Sequence, residues 1–426
     1  MPDHLKLAAG TGATVTVDAC QVCNGQDLSR ALFLGYLPPV NQMRVIGQVP
    51  DEQPAYPAQL LVCAKCQLVQ LGLVVDKSIL FPPEYPYSSG TTKILRDNFA
   101  ALYAECKTLV KLGADDLIVD IGSNDGTLLS NFRNGGHKVR GIEPTLMGEL
   151  ANKRGISTLV SFFDRAAAER TVTEYGKSAI VTATNVFAHI EDVHNILDSI
   201  LHLLRDDGLF VSESHYLISL IETLQYDTIY HEHLRYYSLH SLRYLLGMHG
   251  LEIVHARRIP THGGSIRVYA ARKGTHAVQP SVVEVLQTEE KAGYGEAALR
   301  QFRERMVRSK LLLLALLNDI KLAGGRIFGV GAPSRASTLI NYVGLDDGIL
   351  DCVLEVKDSH KVGKYMPGTL IPVLDEQKLF VEQPEYALLL SWHIADELIP
   401  KLRAKGYKGD FIVPLPVPRV IRSEKI

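Results

Sequence analysis

Apolar residues change their spacing along this chain, and the changes divide it. From residue 117, short apolar runs alternate with longer amphipathic ones. Residues 117–121, 138–142, 158–163, 179–186 and 208–213 are short and rich in β-branched residues. They read as buried strands with helices between them. Residues 251–258 and 265–272 form a closing β pair joined by Thr261-His-Gly-Gly-Ser265. Residues 94–112 form an amphipathic helix ahead of this block. Residues 282–323 are helical, charged and amphipathic, and connect it to a second alternating block. The apolar stretch 311–317 within them reads as a buried helix face. Then 326–337 repeats the order strand, glycine turn, helix, with strands near 351–356, 387–391 and 410–414.

These patterns predict an α/β protein in three parts: residues 1–80, 81–275 and 276–426. A chain of 426 residues also exceeds what one ordinary core supports. The middle part is a doubly wound sheet. Its final hairpin favours a class I methyltransferase sheet over a dinucleotide-binding Rossmann domain. The C-terminal part is a second Rossmann-like α/β domain.

Composition adds exclusions. The chain is 46% hydrophobic and 22% charged, with net charge -2, so it carries no electrostatic footprint for nucleic acid or an anionic membrane. No apolar run is long enough to span a bilayer, and Met1-Pro-Asp-His-Leu-Lys lacks the features of a signal peptide. The expectation is a cytoplasmic protein acting on a small molecule. Its six cysteines are then thiols or metal ligands.

Cys20-x-x-Cys23 and Cys63-x-x-Cys66 have the spacing of a tetrahedral zinc site. Four thiolates leave no open position for water, so the expected Zn2+ is structural. Cys106 and Cys352 are single and read as packing residues. The proline-rich stretch 81–90 is a linker, or it brings Tyr85 and Tyr87 to a neighbouring cleft.

The first glycine turn is Asp120-Ile-Gly122-Ser-Asn124-Asp-Gly126, followed by Glu143 at the end of the second strand. Its glycines let a ligand approach the backbone. An acid in the place of Glu143 binds ribose hydroxyls. The turn lacks the dinucleotide fingerprint, and its two acids would repel a pyrophosphate. They suit the cationic tail of S-adenosylmethionine. Asn185-Val-Phe-Ala-His189-Ile leaves the fourth strand at its carboxyl end, where ligands sit in open α/β sheets. Tyr226-Asp-Thr-Ile-Tyr230-His-Glu232-His233-Leu-Arg-Tyr-Tyr237 comes after the fifth strand and falls on the same edge. It crowds together a histidine able to move a proton near neutral pH, an acid and four tyrosines. His231 and His233 are two residues apart, which excludes a helical two-histidine metal site. In the C-terminal part, the helix start at Ser334, Arg335 and Ser337 is a candidate anion site.

Read together, these motifs resemble the sugar C-methyltransferase family that acts on nucleotide-linked 4-keto-deoxysugars. The resemblance covers nearly the whole length. It also rests on His262-Gly-Gly-Ser265, Gly331-Ala-Pro333 and Gly363-x-Tyr365-x-Pro-Gly-Thr369. It implies a zinc module, a central domain binding S-adenosylmethionine, and a C-terminal domain that helps hold the nucleotide sugar. It implies that Asp120, Gly122 and Glu143 lie against S-adenosylmethionine, with Asn124, Gly126 and Asn185 in the same site. His233 is the implied general base. Tyr230 and Glu232 lie beside it, His189 faces the same cleft, and Glu232 can fix a tautomer. Tyr87 closes over the pocket, and His262, Ser334, Arg335 and Tyr365 are candidates for the substrate. Family members carry a small residue and a lysine after Gly-Ala-Pro, where this chain has Ser334-Arg335-Ala336. The alternatives are methyl transfer to oxygen or nitrogen, and a non-catalytic protein on the same fold.

Overall fold

The computed structural model describes residues 14–48, 53–81, 90 and 92–423. Tyr85 and Tyr87 lie outside them.

The central sheet has seven strands: β1 (Leu117–Ile121), β2 (Lys138–Ile142), β3 (Thr158–Leu159), β4 (Ser178–Thr184), β5 (Leu204–His215), β6 (Leu251–Ile259) and β7 (Ser265–Arg272). Their spatial order is β3-β2-β1-β4-β5-β7-β6. The first five in that order run parallel, and β7 is antiparallel to both neighbours. β1 is buried along its whole length, which is why it reads as an unbroken apolar run. The expected strand 158–163 is shorter. It ends at Leu159, and Phe162 and Phe163 turn into a cavity at the carboxyl edge. The strand order reverses at β1 and β4, so a crevice opens there.

The cysteine-bearing segment forms a four-stranded antiparallel sheet in the order Arg235–Tyr236, Val69–Leu71, Tyr56–Cys63, Leu28–Leu37. Its first member comes from the tyrosine- and histidine-rich stretch, more than 150 residues downstream in sequence. Arg235 pairs with Gln70 and Tyr236 with Val69. Cys20, Cys63, Cys66 and Leu68 pack in one apolar cluster with residues of β1, β4 and β5. Four Sγ atoms, from Cys20, Cys23, Cys63 and Cys66, lie within 4.8 Å of one another. They can face a single ion, and the residues present fit structural zinc.

The helical connection breaks once, into Pro280–Ala292 and Glu296–Leu322, at Gly293-Tyr294-Gly295. Its apolar stretch is only half buried: Leu313 and Leu317 face the core, whereas Leu311 is 61% exposed. The C-terminal sheet has six strands in the order Val373–Asp375, Cys352–Glu355, Ile327–Val330, Tyr386–Leu389, Asp410–Val413, Arg419–Ile421. All but the last are parallel. The edge strands Val373–Asp375 and Arg419–Ile421 are only three residues long, each directly after a proline, and are legible only in the fold. Among the described residues, no helix is long and apolar enough to cross a membrane.

Because the cysteines pack in the apolar cluster of the central sheet, metal loss should be felt beyond their own loop. Cys66→Ser should lose bound zinc by elemental analysis and lower the thermal midpoint of the whole protein. An unchanged midpoint in the zinc-free variant would contradict this coupling.

Candidate active site

At the carboxyl edge of the central sheet lies a cavity of about 1480 Å³. One end is lined by Gly122, Asn124, Glu143, Phe162, Phe163 and Asn185. The other is lined by His189, His215, Tyr230, His233, His262 and His393, with Ser334, Arg335 and Lys361 from the C-terminal part. The space exceeds what one drug-sized ligand commonly needs and suits two held side by side.

The glycine turn is built for close approach. Gly122 has φ +67°, and a Cβ there would overlap the Val186 side chain. Asn124 and Asn185 also have positive φ, at +50° and +57°. Such backbone strain in non-glycine residues clusters at ligand sites. The Glu143 carboxylate accepts from the Asn124 N–H at 3.0 Å, the Thr145 N–H at 3.0 Å and the Thr145 hydroxyl at 2.6 Å. It is therefore fixed at the cavity wall. The Asn185 side-chain oxygen is buried and has no hydrogen-bond partner among the described residues.

Two expected cofactor residues stand one layer back and do not line the cavity. The Asp120 carboxyl turns into the sheet, where it accepts from Thr182 Oγ1 at 2.6 Å, and burial pushes its pKa up to about 7. Gly126 begins the helix Thr127–Asn134, with φ +77° and Ile156 where a side chain would go. Its role there is packing.

At the other end, His233 is 3% exposed. Its Nδ1 lies 2.7 Å from the Thr228 carbonyl oxygen. A carbonyl only accepts, so Nδ1 carries the proton and Nε2 keeps its lone pair. Burial, with the neighbouring His189 next, drives the pKa well below the usual histidine value, so the ring is neutral at ordinary pH. The Tyr230 ring centroid is 4.2 Å away, with a pKa raised by burial, so its phenol keeps its proton. His189 donates from Nδ1 to the Glu232 carbonyl at 2.6 Å, and burial lowers its pKa to about 4. A neutral ring so committed presents an acceptor and cannot donate again.

Other expected residues have different partners. The Glu232 side chain does not orient His233, since Thr228 does. It accepts from Asn41 Nδ2 at 2.7 Å, and Asn41 in turn takes the Ser334 hydroxyl at 3.2 Å. Arg335 spends its fork on Asp227, with Nε to Oδ2 at 2.7 Å and Nη2 to Oδ1 at 2.8 Å. Just ahead of the helix start beside it, the Ala332 N–H is taken by the Glu355 carboxylate at 2.8 Å, while Ser334 lines the cavity. Tyr365 lies away from the cavity, its hydroxyl accepting from the Gly47 N–H at 3.3 Å. His262 does reach the cavity, from a left-handed conformation (φ +55°) in the turn before β7.

His215, His393 and Lys361 also line this end, outside the motifs that the sequence singles out. The rule that picked out His189 applies to the two histidines, since His215 ends β5 and His393 comes after the strand Tyr386–Leu389. His215 lies 4.6 Å from His233, ring centre to ring centre. Burial and the Arg335 charge hold His262 near pKa 4 and His393 near 2.

The strand order, the bare glycine turn and the adjoining cavity define a class I methyltransferase that binds S-adenosylmethionine. Three consecutive segments match family models. These are "Putative zinc binding domain" over 20–81, "Methyltransferase domain" over 94–256 and "C-methyltransferase C-terminal domain" over 260–416. C-methyltransferase NovU of Streptomyces niveus is 34% identical over 414 residues, which cover 96% of this chain and 98% of that protein. The chain belongs to this C-methyltransferase family, which sets aside the oxygen, nitrogen and non-catalytic alternatives. Among solved structures, the plantazolicin methyltransferase BpumL, in complex with a pentazolic desmethylPZN analog and SAH, aligns at 12% identity. That alignment covers 43% of this chain and 87% of that one, with TM-score 0.34. Magnesium protoporphyrin IX methyltransferase (ChlM) from Synechocystis PCC 6803 with bound SAM aligns at 16% identity over 42% and 78%, with TM-score 0.31.

Gly122→Ala should place a methyl group against Val186 in a backbone conformation that disfavours it, at a cost of about 1 kcal/mol or more. Calorimetric titration should show S-adenosylmethionine binding weakened by about tenfold or more. Affinity equal to the parent would remove this turn from the site.

Proposed function

We propose that the carbon methylated lies next to a ketone, at the 3-position of a nucleotide-linked 4-keto-deoxysugar, giving a branched sugar. The observation that carries this reading is a neutral imidazole with a bare Nε2, buried in the same cavity as the glycine turn. Carbon becomes nucleophilic only when a proton beside the ketone leaves, and His233 Nε2 is the base for that proton. The C–H electron pair moves into an enolate. The Tyr230 O–H donates to the enolate oxygen. His189 and His233 present acceptors, which leaves Tyr230 as the donor of choice. When bound, S-adenosylmethionine would supply the electrophilic methyl group for the enolate carbon and keep the electron pair of its carbon–sulfur bond.

Gly122, Asn124, Glu143 and Asn185 would hold S-adenosylmethionine, with Asp120 and Gly126 shaping the turn behind them. The sugar ring would lie between His233 and Tyr230, with its nucleotide end toward His262, Ser334 and Lys361. Lys361 sits in the cavity wall with its ammonium on the Ala332 carbonyl at 2.6 Å, a single bond that leaves its other protons for a ligand. Arg335 would act through Asp227 instead of on phosphate.

Incubating the protein with S-adenosylmethionine and a panel of keto-sugar nucleotides, then weighing the products, tests the substrate. A single added methyl on a 4-keto member is expected, and deuterium should enter the carbon beside the ketone from heavy water without the methyl donor. Methylation at oxygen or no exchange would defeat the reading.

His233→Ala should cut turnover by about 10²–10⁴-fold while S-adenosylmethionine still binds, as read by paired kinetics and calorimetry. The pH profile should carry the same signature. Only the unprotonated ring is a base, and its pKa is depressed, so acid must reach well below the usual histidine range before activity falls. A limb at about pH 6.5 would place the essential base on an exposed histidine.

A further inference from the structure

We propose that Arg335 is a positioning residue for methyl transfer: from the C-terminal part, it fixes the turn whose carbonyl sets the tautomer of His233. This rests on the reading of His233 as the base.

The path is short and continuous. The guanidinium grips Asp227 with two bonds, and Nη2 also reaches Gln225 Oε1 at 3.3 Å. Both ends of the three-residue turn Gln225-Tyr226-Asp227 are thus tied to one planar group. Thr228 comes directly after, and its N–H and hydroxyl both return to the Gln225 carbonyl, at 3.1 and 2.8 Å. That leaves the Thr228 carbonyl aimed at His233 Nδ1. The turn is entered through Leu224 at φ +57°, a conformation a leucine holds only when its surroundings over-determine it. Trp392 supplies a further bond, Nε1 to Asp227 Oδ2 at 2.7 Å, and its ring lies 4.9 Å from the guanidinium. Gln225 Nε2 extends the same network to the Gly263 carbonyl at 2.6 Å, beside His262.

Stability alone does not account for this arrangement. Arg335 is 6% exposed and Asp227 is fully buried, and a buried ion pair of this kind is often matched by apolar residues of the same volume. What apolar residues cannot do is hold two ends of a turn in one geometry. Direction is the property a base needs. If the Thr228 carbonyl swung away, the imidazole could place its proton on Nε2, and the lone pair facing the cavity would be lost.

Full-length, zinc-loaded protein with 15N-labelled histidine tests this without any methyl acceptor. His233→Gln assigns the His233 signals. In the parent, His233 should read as protonated Nδ1 and bare Nε2 near neutral pH. In Arg335→Met and in Asp227→Asn the protonated-Nδ1 fraction should fall from nearly all to about half, with zinc content and S-adenosylmethionine affinity retained. Arg335→Lys should fall between, because an ammonium is a single point of contact. If Arg335→Met does not fold, Asp227→Asn and Arg335→Lys are read by the same rule. An unchanged His233 tautomer in the folded variants overturns the proposal. Since no sugar enters this experiment, a wrong substrate assignment leaves its result standing.

Discussion

The stretch from Gln225 to Tyr237 has no sheet of its own, and that lack organises the molecule. Nearly every residue in it is buried, including an aspartate, two histidines, a glutamate and an arginine. Buried polar groups without partners are costly, so each must find one elsewhere. They find them in three directions. Arg235 and Tyr236 complete the sheet of the zinc-binding segment, and Leu234 is anchored there by the Leu71 N–H at 2.9 Å. The Arg235 guanidinium caps the carbonyls of Ile190 and Glu191 in the central part. Asp227 reaches Arg335 and Trp392 in the C-terminal part. The chemistry is therefore assembled from the whole chain, although the glycine turn belongs to the central sheet alone.

The zinc site supports this assembly. The segment holding the four thiols has little core of its own, and metal supplies what burial does not. Its sheet carries the strand just after His233, and its Asn41 holds the Glu232 carboxylate. Metal site, sheet edge and His233 form one mechanical series, in which the ion is a structural support at a distance from His233.

Much of this was legible from sequence wherever the cause is local. The strands β1 and β4 announce themselves because both faces are buried, which writes a largely apolar run. The cysteine pairs do so because a tetrahedral ion dictates their spacing, and His233 because its neighbours are so unlike those of a loop. What was not legible is pairing across distance. Nothing near Glu232 points to Asn41, 191 residues earlier, and nothing near Arg335 points to Asp227, 108 residues earlier. A guanidinium at a helix start looks the same in sequence whether it meets a phosphate or a carboxylate. Thr228 is hidden for another reason: it acts through its backbone carbonyl, which every residue has. His215 and His393 are a different case, because the edge-of-sheet rule was available and needed only to be applied at every strand.

The same burial that makes the site hard to read explains how it can work. A water-exposed imidazole at neutral pH would be partly protonated and would compete with solvent for each proton it took. Burial removes both problems, because it penalises the cation and excludes water. It also weakens the base by lowering its pKa. In the reaction proposed above, a depressed imidazole could still remove a proton from carbon if the enolate is stabilised as it forms, the part assigned to a protonated, buried Tyr230. In the proposed reaction, the hydrogen bond from Tyr230 would carry part of the stabilisation that a more basic imidazole would otherwise supply. In such a site the position of each proton matters more than the pKa of any one group, and a carbonyl held rigidly at Thr228 is the means of fixing it.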